Sequence, residues 1–228
     1  LENVKYAKDL GSPMRASNIA AMLAEGELIT WIADDAVLAP DSLDLNIDLL
    51  YSMGEDPKNC VMIKYSEGKN GTAKSVLPDS YFYINNSGNY SPFLKNDWVL
   101  FNHVLMYRSF FDELGGWDCS FEACPMGHND MAIRAQQLGA KVIISQVPVL
   151  DCDHMEGGTG DHMPIFRCQT FSDEPKYRIR YRNPEWVNQP MKLDMGNWKD
   201  APIVWKRRFK NGVPSSYDTI LKENEANA

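Results

Sequence analysis

Three places in the 228-residue chain put carboxylate or imidazole groups where reactive chemistry is commonly done. The first is Asp34-Asp35, at the end of the short apolar run 28–33. The C-terminal ends of strands are where open α/β sheets bind ligands. Two adjacent carboxylates call for a compensating cation, and Mg²⁺ or Mn²⁺ is the usual partner when oxygen ligands grip a diphosphate. The same pair also fits a plain turn ahead of Pro40. The second place is Asp130, expected at the N-terminus of a helix over 129–138. There the helix dipole favours a negative charge, as a general base requires, although a simple cap by Asn129 or Asp130 explains the same residues. The third is His154, between the apolar segment VPVLDCD and Glu156-Gly157-Gly158. A neutral imidazole there is a good metal ligand and tilts the preference towards Mn²⁺. An uninvolved histidine is the plainer account, and Asp151, Asp153, Asp161 and His162 are neighbouring alternatives.

Trp98, Phe101, His103 and Trp117 offer an aromatic wall for a sugar ring, or else core packing. A net charge of −8 excludes a nucleic-acid polymer as partner, because such binding needs a basic stripe. The dense basic cluster Lys206, Arg207, Arg208 and Lys210 fits a solvated patch or an anionic-lipid contact. The five cysteines form no CxxC pair and their number is odd, which fits a reducing compartment. With no apolar stretch long enough to span a membrane, a cytoplasmic location is expected, peripheral to a membrane if the basic cluster binds lipid.

The elements that must position these groups follow from periodicity. Ser12 caps and Pro13 starts a helix that Gly26 follows, and 28–33 reads as a buried strand. Residues 41–53 form a second helix, capped by Asp41 or Ser42 and followed by Gly54. Strands are predicted at 60–65, 98–107, 141–145 and 147–152, with Gly139 closing the helix at 129–138. Between 66 and 92 the composition implies irregular structure with one hairpin near Tyr81-Phe82-Tyr83-Ile84. Beyond about residue 155, Pro, Arg, Trp and Tyr without periodicity imply an irregular region. The alternation of helix and strand gives an α/β core over 1–160, with 161–228 packed on it.

In order and spacing these segments resemble the family 2 glycosyltransferases. Arg15, Asn18, Ala24, Gly26, Glu27, the strand LITWI and Ala33-Asp34-Asp35 resemble the family's Arg-Asn helix, Ala-x-Gly-Glu segment, apolar strand and Asp-rich metal motif. Phe111, Leu114, Gly115, Gly116, Trp117, Asp118, Phe121, Asp130, Arg134, Gly139 and Lys141 resemble its Phe-x-x-x-Gly-Gly-aromatic-Asp block and the helix after it. The resemblance implies a GT-A-like, Rossmann-like mixed sheet flanked by helices. It also implies metal-dependent transfer of a sugar, with inversion, from a nucleotide-sugar donor to a saccharide or other hydroxyl acceptor. Carried over by position, Asp35 and His154 would ligate Mn²⁺ or Mg²⁺, and Asp34 and Arg15 would bind the donor. Asp130 would be the catalytic base, supported by Arg134, which otherwise binds phosphate or forms a salt bridge on the helix surface. Trp98 and Trp117 would contact the acceptor.

Three departures stand out. Ala33 replaces the first acid of the metal motif, and Asn129 replaces the acid that precedes the base. The chain also opens at what resembles the family's third strand, so the fold is expected to be N-terminally truncated. An unpaired edge beside 28–33 would then be covered by further sequence or by another copy of the chain. The competing readings are a nucleotidyltransferase-like enzyme, which would need a Gly-rich phosphate loop not seen here, and a non-catalytic nucleotide- or carbohydrate-binding relative.

Overall fold

The computed structural model describes residues 3–33, 36–68, 76–86, 91–146, 150–153, 169–201, 203–204, 209–210 and 213–214. Asp34, Asp35, His154, Asp161 and His162 lie outside these residues, as do Lys206, Arg207 and Arg208.

Helix α1 (Pro13–Leu23) starts as expected: Pro13 occupies the first turn and the Ser12 hydroxyl accepts from the Arg15 amide at 3.2 Å. The Arg108 side chain donates to the carbonyls of Ala24 and Gly26 and so fixes the turn into strand β1 (Leu28–Thr30). The principal sheet has the order β1-β5-β3-β6, with β3 at Asn59–Met62, β5 at Val104–Tyr107 and β6 at Lys141–Ile144. Strand β5 is antiparallel to β1 and β3, whereas β3 and β6 are parallel. All four residues of β3 are buried, as befits a central strand covered on both faces. A second sheet, β2-β7-β4, joins Ala36–Leu38, Leu150–Asp153 and Tyr65–Gly68.

Helix α2 (Ser42–Ser52) packs on β3 and β5, with Leu50 fully buried. Helix α3 (Arg108–Leu114) follows β5 directly and ends at Gly115. Helix α4 (Cys124–Gln137) is buried from Asn129 through Ala135, so Asn129, Asp130 and Arg134 enter the core with it. Such polar groups persist in a core only when partnered.

Several expectations change. Helix α4 begins at Cys124 rather than at 129, which places Asp130 in its second turn. The dipole argument for Asp130 therefore lapses, because that effect fades beyond the first turn. Asp41 sits at the N-cap of α2 in a left-handed conformation (φ 58°) and its side chain makes no capping bond. The run 60–65 divides between two sheets, and 98–107 is a strand only from Val104. No hairpin forms near Tyr81: two 3₁₀ turns (Asp79–Phe82 and Ile84–Asn86) stand there, and Tyr83 bridges Val99. Among the described residues, 169–201 are more regular than expected. A π-type turn (Gln169–Asp173) leads into α5 (Glu174–Tyr181) and α6 (Pro184–Val187), followed by a 3₁₀ turn (Met195–Lys199). Strands β8 (Phe209–Lys210) and β9 (Val213–Pro214) form a separate pair.

Candidate functional site

Asp130 is the hub of a buried ionic network. Its Oδ2 accepts from Arg134 Nε at 2.7 Å, one helical turn on, and both side chains are fully buried. Its Oδ1 accepts from Arg180 Nη1 at 2.6 Å and from the Tyr181 hydroxyl at 2.5 Å, both on α5. Arg180 Nη1 also reaches Asp118 Oδ2 at 2.7 Å. Burial opposes the Arg180 charge, but Asp130, Tyr181 and Asp118 outweigh it and raise its pKa. Burial likewise opposes the Asp118 carboxylate, yet Arg180 and Ser120 hold it below its usual range. Tyr181 is pushed well up, first by burial and then by the charge of Asp130. Arg134 also donates to the carbonyls of Leu114 (3.0 Å) and Gly116 (2.8 Å), tying α4 to the turn after α3.

That turn is the hub of the backbone packing. Gly115 and Gly116 have φ of 76° and 67°. A Cβ on Gly115 would stand 1.9 Å from Leu193 O, and one on Gly116 would stand 2.3 Å from Asn18 Oδ1. Asn18 lies fully buried beneath it, accepting from Trp117 N (2.8 Å) and donating to Trp117 O (3.1 Å). Asn197 donates to Gly115 O and Trp117 O from the C-terminal side. Arg15 is engaged by Asp9 (3.0 Å) and by the carbonyls of Trp198 and Ala201, with the Trp198 ring 5.2 Å away.

Beside this scaffold lies an aromatic and imidazole cluster. The Trp31 and Trp117 rings meet edge to face at 4.4 Å, and His128 lies 5.2 Å from Trp117 and 6.3 Å from Trp31. His103 Nδ1 is 3.4 Å from Trp31 O, and Trp31 Nε1 donates to Asn102 O. Trp117 is buried, whereas His128 is part-exposed. Desolvation, with a smaller contribution from His103, pushes the His128 imidazole down to about 3, so it is neutral near pH 7. His128 and Trp31 were not singled out from sequence; the His128-Asn129-Asp130 order, with a histidine two positions before the Arg-paired acid, was the available signal. Cys119, hydrogen-bonded to Asn18 and pushed up to about 12 by burial, is an inert thiol.

The structure therefore joins Asp130 with Arg134, and Trp117 with His128, while His103 approaches the backbone of Trp31. Arg15 sits apart, against the C-terminal turn. Trp98 lies at the far end of α4, beside Gln136 and Gln137. The flanks of the expected metal motif are described: strand β2 pairs antiparallel with β7, with Ala36 opposite Cys152. Among the described residues no group of three His, Cys, Asp or Glu side chains could hold a metal ion, and no helix is long and apolar enough to cross a membrane.

No family model and no curated protein sequence matches the chain. Among solved structures, S. aureus TarS superposes with a TM-score of 0.47 at 14% identity, over 84% of this chain and 33% of that one. GalNAc-T7, solved with UDP, GalNAc and Mn²⁺, gives 0.42 at 15% identity, over 95% of this chain and 44% of that one. The chain thus spans from about a third to under half of the length of these structures.

Proposed function

We propose that the chain carries a sugar-transfer site of the GT-A, family 2 kind, acting from a nucleotide-sugar donor on a saccharide hydroxyl with inversion. The observation that carries the reading is the β2/β7 register. With Ala36 opposite Cys152, the residue after Asp35 stands beside the strand that leads into His154, which favours a shared site for the two. A divalent cation held by Asp35 and His154, with Asp34 beside the donor, would neutralise the departing diphosphate. Trp31, three residues before Asp34, brings the Trp117–His128 cluster to the same end of β1.

In this reading the part-exposed Trp31 ring, backed by the buried Trp117, walls the acceptor, and the neutral His128 accepts the hydrogen bond of the attacking hydroxyl. An anionic donor bound nearby raises an imidazole's pKa and so its basicity. The family resemblance implies Asp130 as the base. Both of its oxygens are already taken by Arg134, Arg180 and Tyr181, so serving as base would require α5 to release it. Its surroundings favour a positioning role, with Arg134 holding the Gly115-Gly116 turn that carries Trp117.

The test is hydrolysis and transfer from a panel of nucleotide sugars, with and without Mn²⁺. Activity is expected only with the metal, abolished in Asp35→Ala and lowered about 10²- to 10⁴-fold in His128→Leu. Wild-type turnover that survives Asp35→Ala together with His154→Ala would overturn the metal site. Full activity in His128→Leu would return the base to Asp130.

A further inference from the structure

A groove of about 190 Å³ lies away from the aromatic cluster, lined by Phe93, Lys95, Trp98, Gln136, Val187 and Asn188. Gln136 stands eight residues after His128 on α4, so the groove is about 12 Å along the helix from the imidazole. Its walls are fixed: the Gln136 amide both donates to and accepts from the Val99 backbone at 2.8 Å, and Gln137 Nε2 donates to Val187 O at 2.6 Å. Two aromatic side chains line it. Phe93 is 42% exposed, Trp98 is part-exposed, and the Lys95 amine lies 5.8 Å from the Trp98 ring centre. Asn188 is exposed, and no hydrogen bond involves its side chain among the described residues.

Two partly exposed aromatic rings beside the Asn188 carboxamide and the Lys95 ammonium suit a ligand that is apolar on one face and rich in hydroxyls at its edge. A pyranose ring has that character. A wholly apolar peptide segment would leave Lys95 and Asn188 without partners, and a phosphate would leave the rings uncovered. We propose that this groove binds one ring of an oligosaccharide, as a second contact for the saccharide acceptor on the same helix as the cleft. The choice of a saccharide rests on the transfer reading of the cleft; the groove itself rests on its own residues.

The experiment is calorimetric titration of the full chain with cellohexaose and, separately, chitohexaose. Saturable binding of at least one probe is expected, weakened tenfold or more in Trp98→Ala, partly restored in Trp98→Phe, and weakened in the exposed variant Phe93→Ser. No saturable binding of either probe by the wild type overturns the proposal, and so does undiminished binding in Trp98→Ala, which would assign the binding to another place. Donor hydrolysis, measured in parallel, reports on the cleft alone: if it is absent while the Trp98-dependent binding persists, the transfer reading falls and the groove stands.

Discussion

Arg180 Nη1 lies 2.6 Å from Asp130 Oδ1 and 2.7 Å from Asp118 Oδ2, so one guanidinium nitrogen joins the helix that carries the Asp130–Arg134 pair to the segment that carries Trp117. The Tyr181 hydroxyl closes the same carboxylate from the next position on α5.

Removing one member of this network strands the others in the core. Arg134→Met is expected to cost about 3–5 kcal/mol, because it removes one of the two guanidinium groups that pair with the buried Asp130. Asp130→Asn should cost a comparable amount. Urea unfolding followed by fluorescence would measure both, and a loss under about 1 kcal/mol in either variant would contradict the hub role.

Gly115→Ala and Gly139→Ala compare strain with and without collision. Both glycines have positive φ, 76° and 94°, but only Gly115 faces a neighbour that an added Cβ would strike. Gly139→Ala should cost about 1–2 kcal/mol from the left-handed backbone alone. Gly115→Ala should cost clearly more and displace the 193–197 segment from the turn, detectable as faster proteolysis within 190–200. Equal costs would show that Leu193 yields freely.

Asp173 reaches across from the turn before α5 and accepts from the amides of Glu122 (2.9 Å) and Ala123 (2.7 Å), where α4 begins. Burial outweighs these donors and raises its carboxyl to about 6. The folded state then holds the proton more tightly than the unfolded chain, so this group lowers stability as pH rises from about 4 to about 6, by up to about 3 kcal/mol. Asp173→Asn should remove that slope from the pH dependence of urea midpoints.

His128 acts in the opposite sense. With its imidazole at about 3 when folded and near 6.5 when unfolded, its contribution is fully present above about 6.5 and lost as pH falls towards 3. His128→Leu should therefore flatten acid destabilisation between pH 6 and 4. In the wild type its C2 proton should show no titration step between pH 5 and 8 by NMR, and a midpoint near 6.5 would place the ring in water.

Much of the scaffold was legible where a residue's local role matched its global one. Ser12 and Pro13 start α1, Gly139 follows α4, and the apolar run Cys60–Met62 makes the central strand, each for reasons visible within a few residues. The start of α4 was hidden because its N-cap residue, Ala123, has no capping side chain, and the oxygen that bonds its amide comes from Asp173, 50 positions away. The site was less legible than the fold for the same reason. Asp130 and Asn18 carry the pattern that drew attention to them, yet their partners are Arg180, Tyr181 and the backbone of Trp117, which no local spacing reveals. Trp31 and His128, 97 positions apart, meet only in three dimensions.

The Arg15 guanidinium bonds carbonyls at Trp198 and Ala201, separations of 183 and 186 residues. Closing so large a loop comes late, because its entropy is lost before the contact forms. During synthesis, which runs from the N-terminus, the first helix emerges long before the residues that clasp it. Until then Asn18 and the two glycines it underlies have no C-terminal clasp, so in the nascent protein this turn stays open to water until the last part of the clasp has been made.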